Sequence, residues 1–131
     1  MLRLQSDLSE LVEAAIDGRL HEVEAHWNPQ VSLGVVMAAE RYPDTPRTGD
    51  VIHGLDATTD PDCKVFQAGT AFDADGNTVT AGGRVLCVCA LGNSVADAQR
   101  KAYAEVDRIH WDGEFHRRDI GWRAVGRGRN D

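Results

Sequence analysis

The 131-residue chain has no apolar run near the ~18 residues a helix needs to cross a bilayer. Its first residues, MLRLQSDLSEL, are interrupted by Arg3, Gln5 and Asp7 and lack the plan of a signal peptide. These absences point to a cytoplasmic protein with no membrane partner. Basic charge is also short: 14 Lys and Arg stand against 21 Asp and Glu, for a net charge of −7. That balance argues against nucleic acid, whose phosphates need a basic excess. Three cysteines are too few and too irregular for a disulfide framework. No Cys or His set has zinc-ligand spacing, so no metal is expected. A phosphate-cradling loop of the Walker type and a Ser–His–Asp or Cys–His arrangement are missing too.

What is present reads as one ordinary globular domain, 42 % hydrophobic and 27 % charged. Residues 6–17 read as a helix with Ser6 as N-cap, an apolar face of Leu8, Leu11, Val12, Ala15 and Ile16, and Gly18 as terminator. Residues 22–27 alternate like a half-buried strand. Residues 31–38 (VSLGVVMA) read as a central strand buried on both faces, with Gly34 marking a close backbone approach. Residues 40–49 hold two prolines and a glycine, which predicts a loop. Short strands follow over 50–55 and 64–72, with Val65 and Phe66 as core candidates. The run from Asp73 to Asn77 is a hairpin signal returning through Thr78–Thr80. Arg84 to Ala90 is a strong strand, with Cys87 and Cys89 on one side as buried reduced thiols. Ser94 caps a second helix whose stripe is Val95, Ala98, Ala102, Val106 and Ile109. A last strand is expected at 122–125. The fold class is α+β: a small, mainly antiparallel sheet or partial barrel with two helices.

Gly82-Gly83-Arg84 carries the most chemical information. Two glycines let backbone amides approach an anion, and an adjacent arginine can clamp a phosphate or carboxylate. The same residues also fit a glycine bulge followed by a surface arginine, which is the commoner use of such a pair. Asp50 and His53 lie three apart and face opposite sides of a strand, so they make no acid–base pair, and His53 reads as structural. His21, His26, His110 and His116 have no ligand spacing. Trp27, Trp111 and Trp122 read as amphipathic edges of the core. Arg118-Asp119 fits a local ion pair or a partner contact. The tail with Arg117, Arg118, Arg123, Arg127 and Arg129 fits either a solvated end or a contact with an anion or another domain.

Several stretches, taken in order, resemble one family. They are Arg3–Leu8, Ser32–Ala39, Tyr42-Pro43, Gly49–Leu55, Val65-Phe66, Ala68–Thr70, Gly82–Leu86, Ala90–Gly92, Ala98-Gln99, Ala102-Tyr103 and Arg118–Ala124. Together they resemble the carboxy-terminal domain of the phosphoribosylamine–glycine ligases. The resemblance implies a part in ATP-dependent joining of glycine to 5-phosphoribosylamine, in purine biosynthesis, through a glycyl phosphate. It implies that residues 1–20 are a helical junction from an ATP-grasp domain and 21–131 the carboxy-terminal domain, which closes the active cleft. ATP and Mg²⁺ would be bound by the ATP-grasp part and not by this chain, which alone would be inactive. No residue here would be catalytic, and Gly82, Gly83 and Arg84 would help hold the phosphoribosyl substrate. The other reading is a free-standing, non-catalytic small-molecule-binding module derived from the ligase. The chain departs from the family's pattern at Glu40, Arg41 and Asp44, where glycines are usual, at Gln67, where His is common, and at Ala81, where Asn is common.

Overall fold

The strand Arg84–Gly92 (β5) is the axis of the computed structural model, which describes residues 1–57 and 60–126. In chain order the other elements are α1 (Leu8–Ile16), β1 (Val31–Ala38), β2 (Cys63–Gln67), β3 (Thr70–Phe72), β4 (Thr78–Thr80) and α2 (Val95–Val106). The sheet order is β1-β5-β2, with β3-β4 as a separate hairpin, and every pairing is antiparallel. Two helices on small antiparallel sheets make the fold α+β, as expected. β5 is central because its inward residues Leu86, Val88 and Ala90 are apolar and face Leu33, Val35 and Met37 of β1. Ala98, Ala102 and Val106 of α2 close the core over this face, with Ile109 and Trp111. α2 starts where expected: the Asp97 amide donates to Ser94 Oγ (3.1 Å) and the Asn93 amide to Asp97 Oδ2 (3.2 Å).

β1 keeps its expected bounds but is an edge strand, not a central one. Its apolar run hides an alternation in which Leu33, Val35 and Met37 are buried while Val36 is 43 % exposed. One isolated bridge, from Ala38 to Phe115, covers the far end of its outer edge. The face opposite α2 is therefore open and carries Val36, Phe66, Cys87 and Cys89. Phe66 lies on that face, 37 % exposed, and is not in the core; Val65 does pack against it.

Other expectations are corrected. Asp7, not Ser6, caps α1, accepting from the Ser9 amide at 2.8 Å. Ser6 Oγ is engaged with the segment 24–26, accepting from the His26 amide at 2.7 Å. The apolar face of α1 is largely bare: only Ala14 is buried, and Leu8, Val12 and Ile16 are 48, 46 and 79 % exposed. Gly18 does end the helix, at φ +71°. Residues 22–27 find no neighbouring strand, so they form a 3₁₀ turn at Leu20–Glu22 and an extended stretch with one bridge, Leu4 to Trp27. The expected strand at 50–55 reduces to single bridges at Val51 and His53, between Gly49 and Gly54 in positive φ. The expected strand 64–72 is broken at Ala68-Gly69, where the chain leaves β5 to pair as β3 with β4. Residues 122–125 form turns instead of a strand. Trp111 is buried, whereas Trp27 and Trp122 are more than half exposed.

Candidate functional site

The connection from β4 to β5 contains two glycines, Gly82 and Gly83, and packs on a third, Gly69, in the β2–β3 bend. The Ala81 amide donates to Gly69 O at 2.7 Å, drawing the β2–β3 bend against Gly82. A Cβ at Gly69 would stand 2.8 Å from Arg84 O and 2.9 Å from Gly82 Cα, so the crossing excludes any side chain there. On the other side, the Ala39 amide donates to Gly83 O at 2.9 Å and ties down the loop that follows β1. That loop lays Tyr42 on Gly83: a Cβ at Gly83 would be 2.4 Å from Tyr42 Cδ2 and 3.0 Å from Pro46 Cγ. A shallow cavity of about 570 Å³ opens beside this contact, lined by Val36, Tyr42, Ala68, Gly69, Gly83 and Arg84 among others.

Of the three residues singled out in the sequence, Gly83 and Arg84 line the cavity, while Gly82 is spent on the contact with Gly69. The Arg84 side chain is exposed and pairs with no described residue. The amides of Gly82 and Gly83 donate to no described residue either. A guanidinium is charged at every physiological pH and offers a planar fork of donors. Free amides next to it add the partial positive charge that oxyanions seek. With Val36 and Tyr42 as apolar walls, the arrangement can take a small molecule that has an anionic end and a less polar body.

Arg47 fixes the loop that carries Tyr42. Its guanidinium meets Glu40 Oε2 at 2.8 Å, Asp50 Oδ2 at 3.0 Å and Asp112 Oδ2 at 2.8 Å, and donates to Asp112 O at 2.6 Å. The hydrogen bond to Asp50, followed by those to Asp112, pushes the Arg47 pKa further above its ordinary value. Two of the loop's departures from the family pattern are thereby explained or exposed: Glu40 is an Arg47 partner, and Arg41 sits at φ +63°, where glycine is at ease. Tyr42 carries no local signal of a site residue because its partner Gly83 lies far along the chain, whereas Arg47 has two of its acids, Glu40 and Asp50, close in sequence and only Asp112 distant.

The remaining sequence candidates are dispersed. Asp50 serves Arg47, and His53 is exposed and stacks on His110 with ring centroids 5.2 Å apart. Asp119 pairs with Arg117 at 2.7 Å, not with Arg118, which reaches Asp107 at 2.8 Å. Arg127 and Arg129 lie outside the described residues. Among the described residues no cluster of three or more His, Cys, Asp or Glu side chains could hold a metal ion, and no helix is long and apolar enough to cross a membrane.

A family model described as phosphoribosylglycinamide synthetase, C domain, matches residues 32–123. A phosphoribosylamine–glycine ligase of Xanthomonas axonopodis pv. citri is 64 % identical over 129 residues, covering 98 % of this chain and 30 % of that protein. The ligase of Escherichia coli O6:H1 is 57 % identical over 130 residues, covering 99 % of this chain and 30 % of that protein. The crystal structure of the Thermotoga maritima ligase is similar with a TM-score of 0.63 at 36 % identity, over 84 % of this chain and 27 % of that one. The chain thus spans about 30 % of the length of the curated relatives it matches.

Proposed function

The chain belongs to the phosphoribosylglycinamide synthetase C-domain family, and from that membership we propose that it works as the C domain of a cytoplasmic phosphoribosylamine–glycine ligase. The reaction is the ATP-dependent joining of glycine to 5-phosphoribosylamine in purine biosynthesis. The observation that carries this reading is the 64 % identity with such a ligase across nearly the whole chain.

Within that reaction the part of this chain is binding and enclosure. Gly83 and Arg84 hold the phosphoribosyl substrate by its phosphate, through the unpaired guanidinium and the free Gly83 amide. Gly82 sets the backbone path by its contact with Gly69. Val36 and Tyr42 line the cavity next to the anion site and offer the rest of the substrate an apolar wall. The described residues gather no cluster of three or more metal-ligating side chains, and the sequence has no phosphate-cradling loop of the Walker type. No step of the reaction is therefore assigned to a nucleotide bound here, and the ATP-grasp portion of the longer ligase is the partner that would hold it. Residues 1–20 are the junction to that portion. The bare apolar face of α1 supports this, since Leu8, Val12 and Ile16 need a covering surface.

The test is a chimera in which this chain replaces the matching 30 % of the Escherichia coli O6:H1 ligase. It should form glycinamide ribonucleotide, and Arg84→Ala in the chimera should raise KM for phosphoribosylamine by about tenfold or more, as loss of a charge-assisted pair of ~1.5–3 kcal/mol implies, with a smaller effect on KM for ATP. A well-folded chimera without product would refute the ligase reading. Equal effects on both KM values would make Arg84 structural.

A further inference from the structure

Cys87 and Cys89 stand on the open face of the central strand with their sulfurs 3.6 Å apart. Both are half-buried and neither is in a disulfide. Gly34, their neighbour on β1, leaves them room: a Cβ there would lie 3.0 Å from Cys89 Sγ and 3.1 Å from Cys87 Sγ. We propose that Cys87 and Cys89 form a chelating dithiol site for one pyramidal thiophilic centre of the trivalent-arsenical class.

The spacing selects the ligand. Residues two apart on a strand have Cα atoms about 6.7 Å apart, the upper end of what a disulfide spans. Closing an S–S bond of ~2.05 Å from 3.6 Å would draw the sulfurs together by about 1.5 Å. β5 resists that puckering, because it is hydrogen-bonded to β1 on one side and to β2 on the other. An atom inserted between the sulfurs meets no such obstacle. Two bonds of ~2.3 Å, the length zinc makes to sulfur, span 3.6 Å at an angle of about 103°. That angle suits a pyramidal or tetrahedral centre. A linear two-coordinate ion would need the sulfurs about 4.6 Å apart on the same bond length. A tetrahedral zinc ion would need two more protein ligands, and no third His, Cys, Asp or Glu gathers with this pair among the described residues. A pyramidal centre that brings its own third substituent is left.

The chemistry balances without electron transfer. An arylarsine oxide and two thiols give a dithioarsenite and one water: the As=O bond is lost, two As–S bonds form, and both thiol protons leave on the oxygen. Burial raises the Cys89 pKa to about 12, so at neutral pH this residue is a thiol and not a thiolate. Ordinary alkylation is thereby slowed, whereas exchange on arsenic disposes of the proton as water. Cys87 also lines the cavity with Val36 and Tyr42, so an aryl substituent has an apolar wall to rest on.

The experiment is titration of the 131-residue chain with phenylarsine oxide, in a phosphine reductant, read by intact mass and calorimetry. One equivalent should bind and be stripped by a small dithiol. Cys87→Ser and Cys89→Ser should each weaken binding about 100-fold or more, because a single As–S bond forfeits the second, effectively intramolecular one. Cys63→Ser should change nothing, and Gly34→Ala, which keeps both thiols but crowds them, should weaken binding. Wild-type affinity in either single serine variant would overturn the site. Should a serine variant fail to fold, alkylation mapping of the wild-type chain in denaturant, with and without the arsenical, decides: loss of alkylation at Cys87 and Cys89 together on loading supports the chelate, and loss at only one of them, or at Cys63, overturns it.

Discussion

The ring of Tyr42 rests on the bare backbone of Gly83, with Cδ2 2.4 Å from where a Cβ would stand. The two are forty-one positions apart in sequence, yet this contact shapes the cavity beside Arg84. An alanine at Gly83 must displace Tyr42, and also Pro46, whose Cγ is 3.0 Å away. We expect Gly83→Ala to lower stability by about 1–3 kcal/mol, the usual cost of overpacking. In a Tyr42→Ala background the same change should cost at least ~0.5 kcal/mol less, since contacting residues couple by that much or more. Denaturant titration of the four proteins checks both. Additivity would show that the ring is not what Gly83 accommodates.

Arg41 sits at φ +63° in the loop after β1. An L-residue there costs roughly 1–2 kcal/mol, and a glycine relieves it while losing about 0.5–1 kcal/mol in chain entropy. Arg41→Gly should therefore stabilise the chain, by up to ~1.5 kcal/mol on this difference. A lowered midpoint in thermal melting would mean that the arginine side chain contributes more than the strain removes.

Asp97 holds its carboxylate below the ordinary value of 3.8, chiefly through the hydrogen bond from Arg100 and then that from the Asn93 amide. A depressed folded-state pKa gives stability that is present above the unfolded value and lost as pH falls through the folded one. The melting temperature of the wild type should exceed that of Asp97→Asn at pH 6–7, on the order of the window in which an ordinary carboxylate is fully ionised. The gap should shrink steadily as the pH is taken below about 4. A gap that stays constant to pH 2 would assign the difference to packing. Asp7, Asp73 and Asp119 are depressed in the same way, by Ser9, Asn77 and Arg117 first, so acid should destabilise the whole chain over the same range.

Legibility of the sequence followed the reach of each signal. The bounds of β1, the Asp73–Asn77 hairpin and the capped start of α2 are written within a few residues, and each formed as read. The stretch 22–27 has the alternation of a strand, but a strand also needs a partner, and only Trp27 found one. β1 has the sequence of a central strand because Val36, which faces the open side, is as apolar as the residues that face the core. Ser6 lost the cap to Asp7 because its hydroxyl had a use twenty residues away. Gly82, Gly83 and Arg84 stand out through composition and resemblance together. Tyr42 stood in a matching stretch without a role, since nothing in Tyr42-Pro43 says that the ring will lie on Gly83.

Arg47 also bears on how this sequence can drift. One guanidinium holds Glu40 and Asp50, on either side of it in the segment after β1, and Asp112 from a distant stretch of chain. Loss of any one acid leaves the arginine two partners, whereas loss of the arginine leaves three carboxylates around an empty centre. The order of replacement is thereby constrained: the acids are free to be exchanged singly, and Arg47 is the last of the four that a lineage can give up.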